Sequence, residues 1–273
     1  LRIKLSNISL NVEVHSSTNT ESDLIFFLHG FTGSSEDWRQ IAISIEPKYK
    51  IIMLDLIGHG KSDSPKDISL YTADSIVKEI FEVINYFTSE KIILAGYSMG
   101  GRTALSFAVK HPDRLKKLIL ESSTPGLKEK NIRAARSNLD EQLASYIESH
   151  ELVDFIDYWM NIDLFATQRN LPQEKLNEIR DSKLKNNKAG LANSLRGFST
   201  GRMPCLVDQI KNIRCSSLLI TGELDIKYTL INSEMLNRFR TAKHFIIKNA
   251  GHNTHLEKPV DFINVINDFL NKY

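Results

Sequence analysis

The chain has 273 residues, 41% hydrophobic and 25% charged, with a formal net charge of +2, a profile that suits a globular protein with one core and room for an inserted subdomain. No basic tract stands out and no apolar run approaches the roughly 20 residues of a membrane-spanning helix, so neither nucleic acid nor membrane is expected as a partner. Two cysteines, Cys205 and Cys215, are too few for a disulfide framework and have no metal-ligand spacing around them; reduced thiols and no metal site are expected.

Residues 2–5 and 9–14 alternate in polarity and predict a hairpin. The N-terminal stretch lacks the apolar segment of a secretory signal, and a cytoplasmic location is expected. Apolar runs follow at 24–28, 51–54, 92–95, 118–120, 218–220 and 245–247. Continuous runs of this kind predict strands buried on both faces, as in a parallel sheet. Between them, residues 71–87 place Ile76, Ile80, Val83, Ile84 and Phe87 on one helical face. Residues 101–111 predict a helix that stops before Pro112, and 262–270 predict a closing helix. The alternation implies an α/β fold with helices on both faces of a mostly parallel sheet.

That alternation breaks over 125–203, which reads as helical with no buried strand. We therefore expect a core of 1–124 and 204–273 with a helical lid over 125–203. Ligands of open α/β sheets bind beyond the carboxyl ends of the strands, so an insertion leaving from such an end should cover the site.

Gly96-Tyr97-Ser98-Met99-Gly100 has an apolar strand before it and a helix after it. A tight strand-to-helix turn exposes the serine hydroxyl and needs small neighbours, whereas a plain helix start would need only a capping serine. The Met99 amide would point at a reacting oxygen, and the Phe31 amide, after His29-Gly30, is a second candidate donor. Asp225 and His252 each follow a strand, in the order Ser, Asp, His used by hydrolases of this architecture. His252 would take the Ser98 proton and Asp225 would fix its tautomer. Glu223 and His255 are the competitors: Glu223 reads as structural, His255 as a supporting or surface histidine. His29 and the turn-rich loop 55–62 also read as structural. Arg102 sits in the first turn of the helix after Ser98, where a cation is unfavourable by roughly a few tenths of a kcal/mol. An anionic ligand would offset that; the alternative is a surface arginine paired with an acid.

Together, His29-Gly30-Phe31, the Asp55-Leu56, Gly58-His59-Gly60 and Ser62 loop, the 96–101 elbow and Ala250-Gly251-His252 resemble the α/β-hydrolase superfamily. More narrowly, the elbow with Arg102, Glu121-Ser122-Ser123-Thr124-Pro125-Gly126-Leu127, residues 155–159 with 163–165, and Ala250-Gly251-His252-Asn253-Thr254-His255 resemble the 2-succinyl-6-hydroxy-2,4-cyclohexadiene-1-carboxylate synthases of menaquinone biosynthesis. That resemblance implies a lyase that eliminates pyruvate from a small tricarboxylate, without metal or organic cofactor. It implies functional positions at Tyr97, Ser98, Arg102, Arg136, Trp159, Arg180, Asp225 and His252, with Arg133 as the alternative to Arg136 if the register slips. Ser98 would then be a general base toward the proton next to the succinyl ketone, with the enolate oxygen at the Phe31 and Met99 amides. The same triad also suits an esterase or C–C bond hydrolase working through an acyl-enzyme, or a silent ligand receptor of the same fold.

Overall fold

A computed structural model describes residues 1–15, 22–45 and 47–272. The strands are β1 Arg2–Lys4, β2 Ser9–His15, β3 Asp23–Leu28, β4 Tyr49–Leu54, β5 Ile92–Tyr97, β6 Leu115–Glu121, β7 Ser216–Gly222 and β8 Ala242–Ile247. They form one eight-stranded sheet in the order β1-β2-β4-β3-β5-β6-β7-β8. The first hairpin is antiparallel and β2 joins β4 antiparallel. Every other pairing, from β4 through β3 to β8, is parallel.

The helices are α1 Arg39–Ser44, α2 Ala73–Phe87, α3 Met99–Lys110, α4 Lys130–Ser149, α5 Leu152–Met160, α6 Gln173–Lys183, α7 Lys188–Phe198, α8 Ile226–Leu236, α9 Thr254–Glu257 and α10 Pro259–Lys272. The period-two geometry of strands divides the apolar runs between two cores. Phe26, Leu28, Ile52, Leu54, Leu94 and Leu120 face α2, α3 and Met235 of α8. Ile25, Phe27, Ile51, Met53, Ile93 and Ile119 face α1 and α10, where Phe262 and Ile266 are buried. Strand β8 departs from the expected two-sided burial: Phe245 is 49% and Ile246 43% exposed. It is the sheet edge and, among the described residues, pairs with β7 alone, so one flank has no strand beside it.

Helices α4, α5 and α7 share a separate small core of Ala144, Ile147, Phe155, Ile156, Leu191, Ala192 and Leu195, and Phe31 packs against both it and the sheet. Helix α7 is pressed onto the loop after β4. A Cβ at Gly190 would lie 2.3 Å from the Gly58 carbonyl oxygen, so these two backbones touch directly. Among the described residues no strand falls between 125 and 203.

Candidate active site

Strand β5 runs straight into α3, and Ser98 occupies the corner with φ 50° and ψ −104°. A side-chain-bearing residue rarely adopts this conformation, and it costs on the order of 1–3 kcal/mol unless its surroundings enforce it. The enforcement is visible. The Ser98 amide donates to the Glu121 carbonyl at 2.9 Å. A Cβ at Gly100 would come within 2.1 Å of the Leu28 carbonyl oxygen, and one at Gly96 within 2.3 Å of the Gly100 carbonyl oxygen. Only glycine at both positions lets the turn close this tightly.

His252 Nε2 lies 3.1 Å from Ser98 Oγ, and His252 Nδ1 lies 2.6 Å from Asp225 Oδ2. His252 is buried, and Asp225 nearly so. The carboxylate therefore accepts a hydrogen bond from Nδ1–H, which keeps the proton on Nδ1 and leaves Nε2 free to accept from the serine. Asp225 also caps α8, its Oδ1 accepting the Tyr228 amide at 3.2 Å. A side chain with both oxygens engaged has little freedom to turn away. Glu223 lies on the surface and accepts the Asn249 amide at 3.0 Å, a loop contact away from the histidine.

His255 is buried, not a surface residue. It stacks on Trp38 with centroids 4.1 Å apart, and its Nδ1 meets Glu121 Oε2 at 2.6 Å. Glu121 Oε1 further accepts the Thr254 hydroxyl at 2.7 Å and the His255 amide at 3.0 Å. One residue thus ties the serine corner, through its carbonyl, to the loop carrying His252, through its carboxylate. In the sequence it stands out only as part of the 121–127 segment, with no role assigned; the signal for this one was an acid at the very end of a buried strand. Glu121→Ala should leave these three donors unpaired and lower unfolding stability by about 3–5 kcal/mol. The check is a fall in the urea midpoint with an unchanged denaturant slope.

His29 Nε2 accepts the Leu56 amide at 2.9 Å, which leaves Nδ1 to donate to the Gly30 carbonyl at 2.7 Å. Burial lowers its pKa, so it stays a neutral strut. Asp55 accepts the amides of Ser35 and Lys61 at 2.6 and 2.8 Å. These bonds shape the 55–62 loop without reaching the serine.

Above Ser98 opens a cavity of about 720 Å³, lined by Phe31, Tyr97, Ser98, Met99, Arg102, Arg136 and Trp159 among others. Met99 opens α3, so its amide has no partner within the helix. Burial holds the Tyr97 phenol well above its ordinary pKa. Arg102 donates to the Phe198 carbonyl at 2.6 Å, and its guanidinium lies over the Phe198 ring. Among the described residues no carboxylate lies within ion-pair distance of it. Desolvation pushes its pKa down to about 10, so it is still a cation at neutral pH. Arg136 is bound to Asp140, Nε to Oδ1 at 2.8 Å and to Oδ2 at 3.0 Å. Burial depresses the Arg136 pKa, but Asp140 more than offsets this. Arg133 instead donates to the Met203 carbonyl at 3.3 Å and is absent from the cavity lining. The Trp159 indole N–H and the Ser199 hydroxyl are buried in the cavity wall with no hydrogen-bond partner among the described residues.

Arg180 is not brought to the cavity. It lies on α6 and pairs with Asp157 of α5, Nε to Oδ1 at 2.5 Å and Nη2 to Oδ2 at 2.9 Å. The bidentate contact ties the guanidinium to α5, and Arg180 does not line the cavity over Ser98. Among the described residues no group of three or more His, Cys, Asp or Glu is placed to hold a metal. No helix among them is long and apolar enough to cross a membrane. Cys205 and Cys215 are both free thiols.

The sequence family described as alpha/beta hydrolase fold matches residues 23–259. A protein of Bacillus subtilis (strain 168), provisionally named a 2-succinyl-6-hydroxy-2,4-cyclohexadiene-1-carboxylate synthase, is 39% identical over 91% of this chain and 90% of its own length. The synthase of that name from Enterobacter sp. (strain 638) is 32% identical over 86% of each chain. The structure of MenH from S. aureus superposes with a TM-score of 0.92 at 31% identity, covering 96% of this chain and 98% of that one. An enol-lactonase from Burkholderia xenovorans LB400 reaches a TM-score of 0.87 at 18% identity, a likeness of fold alone.

Proposed function

The chain belongs to the α/β hydrolase fold family and, within it, to the 2-succinyl-6-hydroxy-2,4-cyclohexadiene-1-carboxylate synthases, and from that premise we propose how its residues divide the work. The reaction is a lyase step of menaquinone biosynthesis, the elimination of pyruvate from 2-succinyl-5-enolpyruvyl-6-hydroxy-3-cyclohexene-1-carboxylate. The observation that carries the assignment of roles is the pairing of a complete Ser98–His252–Asp225 relay with an arginine in the same cavity that lacks a carboxylate partner.

His252 accepts the Ser98 proton as Ser98 Oγ removes the ring proton beside the succinyl ketone. The electron pair left on carbon passes to the ketone oxygen, which the Phe31 and Met99 amides receive as an enolate. Collapse of the enolate forms the ring 2,3 double bond, the existing 3,4 double bond shifts to 4,5, and the C5–oxygen bond to the enolpyruvyl group breaks. The proton held by the relay returns to the departing oxygen, and the enol so formed rearranges to pyruvate. No bond between Ser98 and substrate is needed at any stage. Arg102 and Arg136 bind substrate carboxylates, for which guanidinium forks are matched in shape and charge. Trp159 offers its unpartnered indole N–H to a substrate oxygen. The small tricarboxylate is the partner we assign, and the two thiols suit a cytoplasmic setting. Purified protein mixed with the enolpyruvyl substrate should release one pyruvate per substrate consumed; no pyruvate would refute the reading.

We assign 125–203 as a lid over the 1–124 and 204–273 core. Arg180 joins the substrate only if α6 moves and its pair with Asp157 opens. Saturating substrate should therefore slow amide exchange over 125–203, most of all around Trp159 and Arg180. Identical exchange with and without substrate would leave Arg180 a structural residue and the segment a fixed wall.

A further inference from the structure

Helix α8 carries a phenol to the boundary between the relay and the arginines. Asp225 caps this helix and accepts the Tyr228 amide at 3.2 Å. The Tyr228 ring lies against His252, with centroids 4.4 Å apart and planes at 58°. On its other side Tyr228 lines the same cavity as Arg102 and Arg136. Both guanidiniums act on it electrostatically, with Asp225 and Asp140 opposing them, and Asp140 is itself engaged by Arg136. Among the described residues the Tyr228 hydroxyl has no hydrogen-bond partner. Packing against His252 needs only the ring, which phenylalanine would supply. The oxygen is therefore surplus to packing, on a residue that lines one cavity with two cations.

We propose that the Tyr228 hydroxyl donates a hydrogen bond to the substrate carboxylate bound by Arg102 and Arg136, fixing that carboxylate beside the catalytic histidine. Burial raises the phenol above its ordinary pKa, so the group is a neutral donor at physiological pH and not a competing anion. A neutral donor completes a site that two guanidiniums leave open: carboxylate oxygens have about four lone-pair directions to fill. It also gives selectivity, because a ligand without the anion leaves hydroxyl and arginines unpaired together. The proposal rests on the tricarboxylate reading of the site.

The test is Tyr228→Phe, which keeps the ring on His252 and removes one oxygen. Loss of a hydrogen bond to a charged group should raise KM for the enolpyruvyl substrate by about ten- to a hundred-fold, with kcat within about two-fold. An unchanged KM overturns the contact. A fall in kcat at constant KM also overturns it, because Tyr228 would then act only through His252. Propane-1,2,3-tricarboxylate, titrated by calorimetry into wild type and Tyr228→Phe, separates this proposal from the reaction. If wild type releases no pyruvate, the function fails, yet weaker binding of that tricarboxylate by the variant still upholds the tyrosine contact. Equal binding by the two proteins, or none by wild type, overturns it.

Discussion

Ser98→Ala is expected to lower kcat for pyruvate release by about 10²–10⁴-fold, the usual contribution of a positioned base, while leaving substrate affinity nearly intact. The base is lost because a methyl group can neither take the carbon-bound proton nor pass one to His252 Nε2, which lies 3.1 Å from Ser98 Oγ. Affinity survives because Arg102 and Arg136 stand on α3 and α4, and neither donates to the serine side chain. Stopped assays give kcat, and calorimetry with the same variant gives the dissociation constant, since a slow enzyme leaves its substrate whole. A loss under ten-fold would remove Ser98 from the proton-transfer role. Wild-type protein quenched during turnover supplies the sharper discrimination. Its intact mass should be unmodified while pyruvate accumulates; a kinetically competent adduct on Ser98 would move the chain to an acyl-enzyme hydrolase.

The relay was legible in the sequence because each member is fixed by local context. Ser98 needed an apolar strand, two glycines and a helix in succession, and Asp225 and His252 each had to follow a strand by a few residues. The sheet was legible for a similar reason: its central runs are apolar at every position because both faces are covered. What escaped the sequence depends on distant partners. Glu121 and His255 are 134 positions apart, and no local pattern announces that their side chains meet. The orientation of Arg180 is decided by Asp157, 23 residues away on another helix, so a position matched by family likeness points elsewhere in the fold. The exposure of Phe245 and Ile246 follows from the edge place of β8 in the strand order; the run 245–247 alone is as apolar as that of a central strand, although Lys243 and His244 precede it. Tyr228 carried a weak signal, three residues after the capping Asp225 and so in the first turn of α8, but its cavity face is set by the packing of α8 against β7.

Arg102→Ala is expected to reduce kcat/KM for the tricarboxylate by about 2–5 kcal/mol, the range for truncating one partner of a desolvated charge pair. Three facts single it out from the other arginines. It sits in the first turn of α3, where the helix dipole opposes a cation. Desolvation pushes its pKa down to about 10, a mark of unfavourable surroundings in the absence of ligand. Its Nη1 donates to the Phe198 carbonyl at 2.6 Å and to the Met203 sulfur at 3.9 Å, and neither neutralises the charge. Arg136 already spends part of its charge on Asp140, so Arg136→Ala should cost less. Arg102→Lys restores the charge but not the planar fork, and should recover only part of the loss. A neutral ester offers no anion for this cation, so on such a substrate the penalty should shrink to a small fraction of that on the tricarboxylate. Stability should move the other way: removing a cation held without a counter-charge should leave the melting temperature level or raise it. Equal losses on both substrates, or a marked fall in melting temperature, would make Arg102 a structural residue and remove the strongest support for an anionic substrate in this cavity.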